Sequence, residues 1–386
     1  MFRLIKDIGI AIHIMHSVSP FARQMFGIST PDNEVTYNVV KYISRGSFGV
    51  VLKVETAGAI YAAKVLLDPD TKEADILGEK AILDKLGGSP NRQLFIHMYD
   101  WFSSEDSYIQ IYEYMKMDLR MYLGQSDIFS MTDAKKILRQ LLQALCQLRE
   151  FSIIHADLKP ENIVIDDRTL ALKVIDFGGS HFTSQLENHT KIATRCYRAP
   201  EVILGAPYGM PIDMWAFGCI AGEMLANRIL YPGENNAEML ALFQKSHRVW
   251  DTDLLESGRL TSEFFCKIGG EFILRNSEID DLVGPLNRIA FSVPDHEFTR
   301  KETLNRIHLS EVVKGCLALH PSSRMKPDTA LDADFFKADE SNRNFPENQE
   351  VAQEQRHAAR GPRTPPRSRT PARHRSRSPI NISSDN

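Results

Sequence analysis

The stretch that decides the fold runs Ile153-Ile154-His155-Ala156-Asp157-Leu158-Lys159-Pro160-Glu161-Asn162-Ile163-Val164. Three polar roles converge in this one loop. Asp157 can accept a proton from a hydroxyl, Lys159 can neutralise a phosphate in transfer, and Asn162 can bind a metal ion. His155 on its own reads as a packed core histidine, and it is given that structural role. Nineteen residues beyond Asp157 stands Asp176-Phe177-Gly178, after the apolar run Leu172 to Ile175. An aspartate at a strand end beside a glycine suits Mg²⁺ coordination.

Phosphoryl transfer asks a protein for positioning and charge stabilisation, and the residues upstream fit that demand. Tyr37 to Ile43 reads as a strand, residues 44–49 interrupt it, and Val50 to Val54 resume it. The tip, residues 44–51, spells S-x-G-x-x-G-x-V. Glycines there let backbone amides approach phosphate oxygens with no side chain in the way. Taken alone, a glycine-bearing hairpin is more often just a turn. Thirteen residues after Val51 comes Lys64, inside the apolar strand Ala59 to Leu67. A buried ammonium needs a partner, and Glu79, in a helix expected from Lys72 to Leu86, is the expected one. Without the later motifs this pair would read as two surface residues. Tyr108 to Tyr114 reads as a buried strand.

Downstream the pattern turns helical. Ser130 or Thr132 can cap a long helix in which Ile137, Leu138, Leu141, Leu142, Leu145 and Leu148 form one stripe. Thr194-Arg195-Cys196-Tyr197-Arg198-Ala199-Pro200-Glu201 follows, then Ile212-Asp213-Met214-Trp215 and Arg324. Glu201 and Arg324 are expected to form a buried structural ion pair, and Asp213 to hold the backbone of the 153–164 loop. A small sheet-rich lobe with one helix therefore precedes a larger, mainly helical lobe, an α+β arrangement with its ligand cleft between the two.

The bulk numbers agree with a globular chain. Its 386 residues suffice for a sizeable core. Five dispersed cysteines show no CxxC spacing, so neither a zinc site nor a disulfide framework is indicated. No apolar run approaches the length of a membrane span. Leu4 to Val18 is apolar but broken by Asp7, His13 and His16, and no small-x-small cleavage site follows, so residues 1–34 read as a docking or disordered leader. The net charge of −4 hides an asymmetry: residues 355–379 hold eight arginines and no acid, leaving about −12 on the rest. Residues 338–386 are polar and rich in Pro, Ser and Arg, and disorder is expected of them. A nuclear or cytoplasmic location is expected.

At this point the sequence resembles the eukaryotic protein kinases, over roughly residues 37–336. The resemblance implies a bilobal fold of residues 37–115 and 116–336 that binds ATP and Mg²⁺. It implies that Asp157 is the catalytic base, that Lys64 holds the α- and β-phosphates and pairs with Glu79, and that Asn162 and Asp176 hold the metal. Lys159 looks like the serine/threonine class, and Thr194 corresponds to a hydroxyl that bridges Asp157 and Lys159. Ile43, Ser44, Gly46, Ser47, Phe48, Gly49 and Val51 would cover the nucleotide. Glu113 and Met115 would bond the adenine edge, Ala62 and Val164 would sandwich it, Tyr112 would be the gatekeeper, and Asp118 is placed for the ribose. Arg195 to Glu201, Val202-Ile203-Leu204-Gly205 and Ile212 to Trp215 look like the CMGC group, whose insert would lie within 235–309. The dual-specificity tyrosine-regulated, homeodomain-interacting and pre-mRNA-processing kinases are similar. The group implies a preference for Ser/Thr followed by Pro.

Three departures stand out. Ser44 replaces the first loop glycine, Ala156 replaces an arginine that grips activation-loop phosphate, and Lys191 stands where relatives carry a phosphorylated tyrosine. A loop ordered without tyrosine phosphorylation is expected, with Thr190 or Thr194 as the alternative control point and dual specificity disfavoured. The tail carries Thr364-Pro365, Thr370-Pro371 and Ser378-Pro379 among Arg-Ser dipeptides. Its arginines could contact RNA, a splicing-related or phosphorylated partner, or an import receptor. Two other functions compete with the expected action on protein substrates: a pseudokinase scaffold, and a nucleic-acid binder acting through the tail.

Overall fold

In the computed structural model, residues 27–45, 49–68, 70–104, 107–125, 130–185, 192–247, 249–275 and 300–337 are described. Two-residue alternation builds the first sheet. In β3 (Gly49–Thr56), Val50, Leu52 and Val54 are buried while the residues between them are only part-buried. Ala57 and Gly58, both at positive φ (49° and 77°), turn β3 into β4 (Ala59–Leu66), a tight hairpin of primed-turn type. With β1 (Gly27–Ser29), β2 (Thr36–Arg45), β5 (Met98–Ser104) and β6 (Ser107–Glu113) these strands form a six-stranded antiparallel sheet ordered β1-β2-β3-β4-β6-β5. Helix α1 (Glu73–Gly87) lies between β4 and β5 in sequence and buries Ile76, Glu79, Ile82, Leu83 and Leu86.

The leader assignment needs one correction. Gly27–Ser29 falls inside the expected leader, yet it pairs with Thr36 to Asn38 as an edge strand. Three residues show no period, so pattern reading could not find it. Residues 1–26, the loop tip 46–48 and the tail 338–386 lie outside the described residues.

The larger lobe begins with β7 (Met117–Asp118), α2 (Leu119–Leu123) and α3 (Met131–Glu150). The expected stripe of α3 is buried along its whole length, and Ser130 caps the helix by accepting from the Asp133 N–H at 3.4 Å. Short pairs follow: β8 (Ile153–Ile154) with β11 (His181–Phe182), and β9 (Ile163–Ile165) with both β7 and β10 (Leu172–Val174). Helices α4 (Pro200–Leu204) and α5 (Pro211–Ala226) come next, and α5 is buried on nearly every face. Gly218 permits this, because a Cβ there would lie 2.9 Å from Cys316, the last residue of α9 (Arg300–Cys316), and 2.8 Å from Leu317 just beyond it.

Between them lie α6 (Asn236–His247), α7 (Thr252–Ser257), α8 (Thr261–Phe264) and the hairpin of β12 (Phe265–Ile268) and β13 (Glu271–Leu274). They fall in the span 235–309, within which the insert is expected. Helices α10 (Pro327–Leu331) and α11 (Asp334–Lys337) follow. Among the described residues, no helix is long and apolar enough to cross a membrane.

Candidate active site

The loop between β8 and β9 is held from below by one carboxylate. Asp213, in the first turn of α5, accepts the His155 N–H at 2.8 Å and the Ala156 N–H at 3.0 Å. Ala156 carries φ +66°, a conformation that an L-residue keeps only when its surroundings fix it. His155 is fully buried; Nε2 lies 3.0 Å from the Ile175 carbonyl, and the ring meets Phe177 edge-on at 4.9 Å. Its expected structural role is the observed one.

Above this base Asp157 gathers its neighbours. Lys159 Nζ sits 2.7 Å from Oδ2, and the Thr194 N–H and hydroxyl donate to Oδ1 at 2.7 and 2.9 Å. Lys159 Nζ also donates to Thr194 Oγ1 at 2.9 Å, closing a three-residue ring. Asn162 Nδ2 donates to the Asp157 carbonyl at 2.8 Å and to Oδ2 at 3.3 Å. The Thr194 bridge expected from sequence is therefore present.

Asp176 faces this loop at φ +64°, a left-handed non-glycine position of the kind that clusters at functional sites. Its Oδ1 lies 2.6 Å from Lys64 Nζ. Burial works against the charge on Lys64, but Asp176 and then Glu79 outweigh it and hold the ammonium above the ordinary lysine range. Burial likewise pushes Asp176 up, and the Lys64 charge brings it below the usual carboxylate value.

Glu79 corrects the sequence reading. The hydrogen-bonded partner of Lys64 is Asp176, not Glu79, whose two oxygens are taken by others. Tyr112 donates its hydroxyl to Oε1 and Gln110 its Nε2 to Oε2, each at 2.9 Å. Gln110 and Tyr112 are buried polar groups in an apolar strand and need partners, so they claim the carboxylate, and Glu79 acts on Lys64 as a nearby charge. Sequence reasoning passed over Gln110, although a lone polar residue in Tyr108-Ile109-Gln110-Ile111-Tyr112 carries the same signal as Lys64. Gln110 lies directly across β4/β6 from Lys64.

The positions expected to face a nucleotide are placed as follows. Val51 pairs with both Ser44 and Lys64 across the sheet. Gly49 admits no side chain, because a Cβ would fall 2.0 Å from the Val65 carbonyl oxygen. Ile43 is largely exposed on β2, Ala62 is part-buried, and Val164 is buried. Glu113 donates its N–H to the His97 carbonyl and pairs with Lys173 at 3.0 Å; Met115 follows it before β7. Asp118 caps α2 through Met121 at 2.7 Å, and burial raises its pKa. Gly46, Ser47, Phe48, Thr190 and Lys191 lie outside the described residues.

The donor chemistry fits a hard cation. Asp176 offers carboxylate oxygen and Asn162 an amide oxygen, and Mg²⁺ is held by one or two such groups together with phosphate oxygens. Gly178 stands beside this group: a Cβ there would make ordinary contacts of 3.6 to 3.7 Å with Glu79 Oε2, Asp176 Oδ1 and Lys64 Nζ. Among the described residues no group of three or more His, Cys, Asp or Glu forms a self-sufficient metal cage.

A two-lobed fold, a lysine facing a strand-end aspartate and a loop built on Asp157 define a phosphotransfer-type centre. The protein kinase domain family matches residues 37–336, and the chain belongs to that family. It is 27% identical over 336 residues to homeodomain-interacting protein kinase 1 of Caenorhabditis elegans, covering 78% of this chain and 40% of that one. It is 27% identical over 319 residues to the serine/threonine-protein kinase prp4 of Schizosaccharomyces pombe, covering 78% and 66%. Against human dual specificity tyrosine-phosphorylation-regulated kinase 4 the identity is 32% over 303 residues, covering 76% and 56%. These relatives are CMGC kinases, the group the motifs resemble. The chain spans between two-fifths and two-thirds of the length of these relatives.

Proposed function

We propose that this chain transfers the γ-phosphate of ATP to serine or threonine hydroxyls of protein substrates. The observation that carries the reading is the Asp157 carboxylate, bonded to Lys159 and Thr194 and held over Asp213. Asp157 would orient the attacking hydroxyl and receive its proton at a carboxylate oxygen. Lys159 would hold the transferring phosphate close to Asp157, and Lys64 would hold the phosphates on the other side. Asp176 and Asn162 would hold Mg²⁺, which supplies charge neutralisation.

The substrate residue that follows the phosphoacceptor is proposed to be proline. Ala193 sits at φ +65°, and Arg198 Nη2 donates to its carbonyl at 2.7 Å, with Arg198 Nε on the Ile192 carbonyl at 2.8 Å. A carbonyl already bonded inside the protein is a poor acceptor for a substrate N–H, and proline has no N–H to leave unpaired. Nuclear import or partner docking through the arginine-rich tail is proposed from its composition alone. Deleting residues 355–386 should change localisation.

The test of the activity is γ-phosphate transfer to Ser, Thr and Tyr peptides with and without a following proline, beside Asp157→Ala. Transfer to Ser/Thr-Pro peptides that is lost in the variant is expected. Equal silence from both proteins would count against the reading.

A further inference from the structure

A second charged cluster stands beside the catalytic loop and has no part in the phosphate chemistry. Arg120 lies on α2, two residues past Asp118. Its Nε donates to Glu161 Oε1 at 2.9 Å, and its two Nη groups bond Glu223 and the Tyr197 hydroxyl. Tyr197 in turn donates to Glu223 Oε2 at 2.7 Å. The Glu223 side chain is only 3% exposed, whereas those of Arg120 and Glu161 are 32% and 44% exposed. The cluster thus has a buried floor and a solvent-facing mouth.

Its position ties it to the substrate. Glu161 lies between Lys159 and Asn162 in the loop that carries Asp157, and Tyr197 closes the turn that follows Thr194. The charge of Glu161 also reaches Asp118 at the nucleotide end of the cleft. Residues that flank a hydroxyl offered to Asp157 would come within reach of this mouth, because Glu161 and Tyr197 lie four and three residues from Asp157 and Thr194.

Two carboxylates, one buried, with a phenol between them form a receptor shaped for a guanidinium, whose fork can bond both acids at once. Here the chain's own arginine already fills it. We infer that Arg120 is a specificity-determining residue, closing a carboxylate-lined notch that would otherwise bind a basic side chain of the substrate. The kinase therefore accepts substrates without selecting arginine or lysine beside the phosphoacceptor. Removing Arg120 exposes a notch of charge −2 that a substrate arginine can enter. A merely structural Arg120 predicts a loss of stability and no new preference.

This inference rests on the proposed phosphotransfer to peptides, and the experiment separates the two. A Ser-Pro peptide series carries arginine in place of alanine at each position on either side of the acceptor. It is used for kcat/KM and, with no nucleotide added, for binding by fluorescence anisotropy. Wild-type protein should treat the arginine and alanine peptides alike, within about threefold. Arg120→Ala should favour arginine at one position by roughly tenfold, the scale of one well-placed charge-assisted contact. Adding Glu161→Gln to Arg120→Ala should remove that gain.

A variant with no arginine preference overturns the inference. So does a wild-type protein that itself prefers arginine tenfold or more, a result that needs no variant to fold; Arg120→Gln serves if Arg120→Ala does not fold. Silence in transfer together with arginine-selective binding by the variant supports the notch while counting against the activity.

Discussion

Tyr112 donates its hydroxyl to Glu79 Oε1 at 2.9 Å, bonding the end of strand β6 to the middle of α1. The phenol is buried, and burial followed by the Glu79 charge holds its pKa well above the ordinary tyrosine value, so it acts as a donor at every physiological pH. Tyr112→Phe keeps the ring and removes that donor. A buried carboxylate left short of one partner costs about 1–3 kcal/mol. Urea denaturation should show that loss as a lower midpoint at unchanged slope, and an unchanged midpoint would show that Glu79 needs no help from the strand.

Asp213 is the next test. It holds two successive N–H groups under Asp157, one of them on the left-handed Ala156. Asp213→Asn retains an acceptor for one of them and turns a donor toward the other. Small displacements of a catalytic group cost on the order of a hundredfold in rate. The expectation is a fall in kcat of that order with KM for ATP little changed. A matching rise in KM would mean that the whole cleft, and not the loop, depends on Asp213.

Glu201 and Arg324 join through two bonds of 2.6 and 2.7 Å, both side chains being almost completely buried. Arg324→Met leaves a carboxylate buried without its cation and should cost about 3–5 kcal/mol. Glu201→Leu combined with Arg324→Met removes both charges and should recover part of that loss. Recovery would be incomplete, because Arg324 also donates to the carbonyls of Ala318, Pro211 and Leu319. Thermal unfolding of the single and double variants reads this directly; equal losses would show that the carbonyl bonds matter more than the ion pair.

What could be read from sequence divides along the range of the interactions. The two lobes, the stripe of α3 and the order of the motifs follow from periodicity and spacing, which are local. Glu201 and Arg324 were legible because a charge in a buried context demands an opposite one, whatever the separation. The partner of Lys64 was not, since Asp176, Glu79 and Gln110 all lie near it in the folded chain and only geometry decides between them. The Arg120 cluster was missed for a related reason. Arg120, Glu161, Tyr197 and Glu223 each look like an ordinary surface or helix residue, and only the packing of α2 on the catalytic loop and α5 brings them together.

His247 gives a prediction in pH. At the end of α6 its ring lies near Trp215, with centroids 6.4 Å apart, and its buried Nε2 has no hydrogen-bond partner among the described residues. Burial, reinforced by the positive charge of Arg324, lowers its pKa from 6.5 to about 4. Between those values the unfolded chain takes up a proton that the folded protein refuses. Stability is therefore fully present above pH 6.5 and falls as the pH drops toward 4, by at most about 3 kcal/mol from this group. Asp118 and Asp213, whose pKa values burial raises, act in the opposite sense as they protonate, so the comparison must be made between variants. His247→Leu removes the imidazole and should flatten the decline in unfolding free energy between pH 6.5 and 4 relative to wild type, while the two proteins differ least in slope above pH 7. Parallel curves across the whole range would mean that His247 takes up its proton at the same pH in the folded and the unfolded chain, so that its surroundings tolerate the charge.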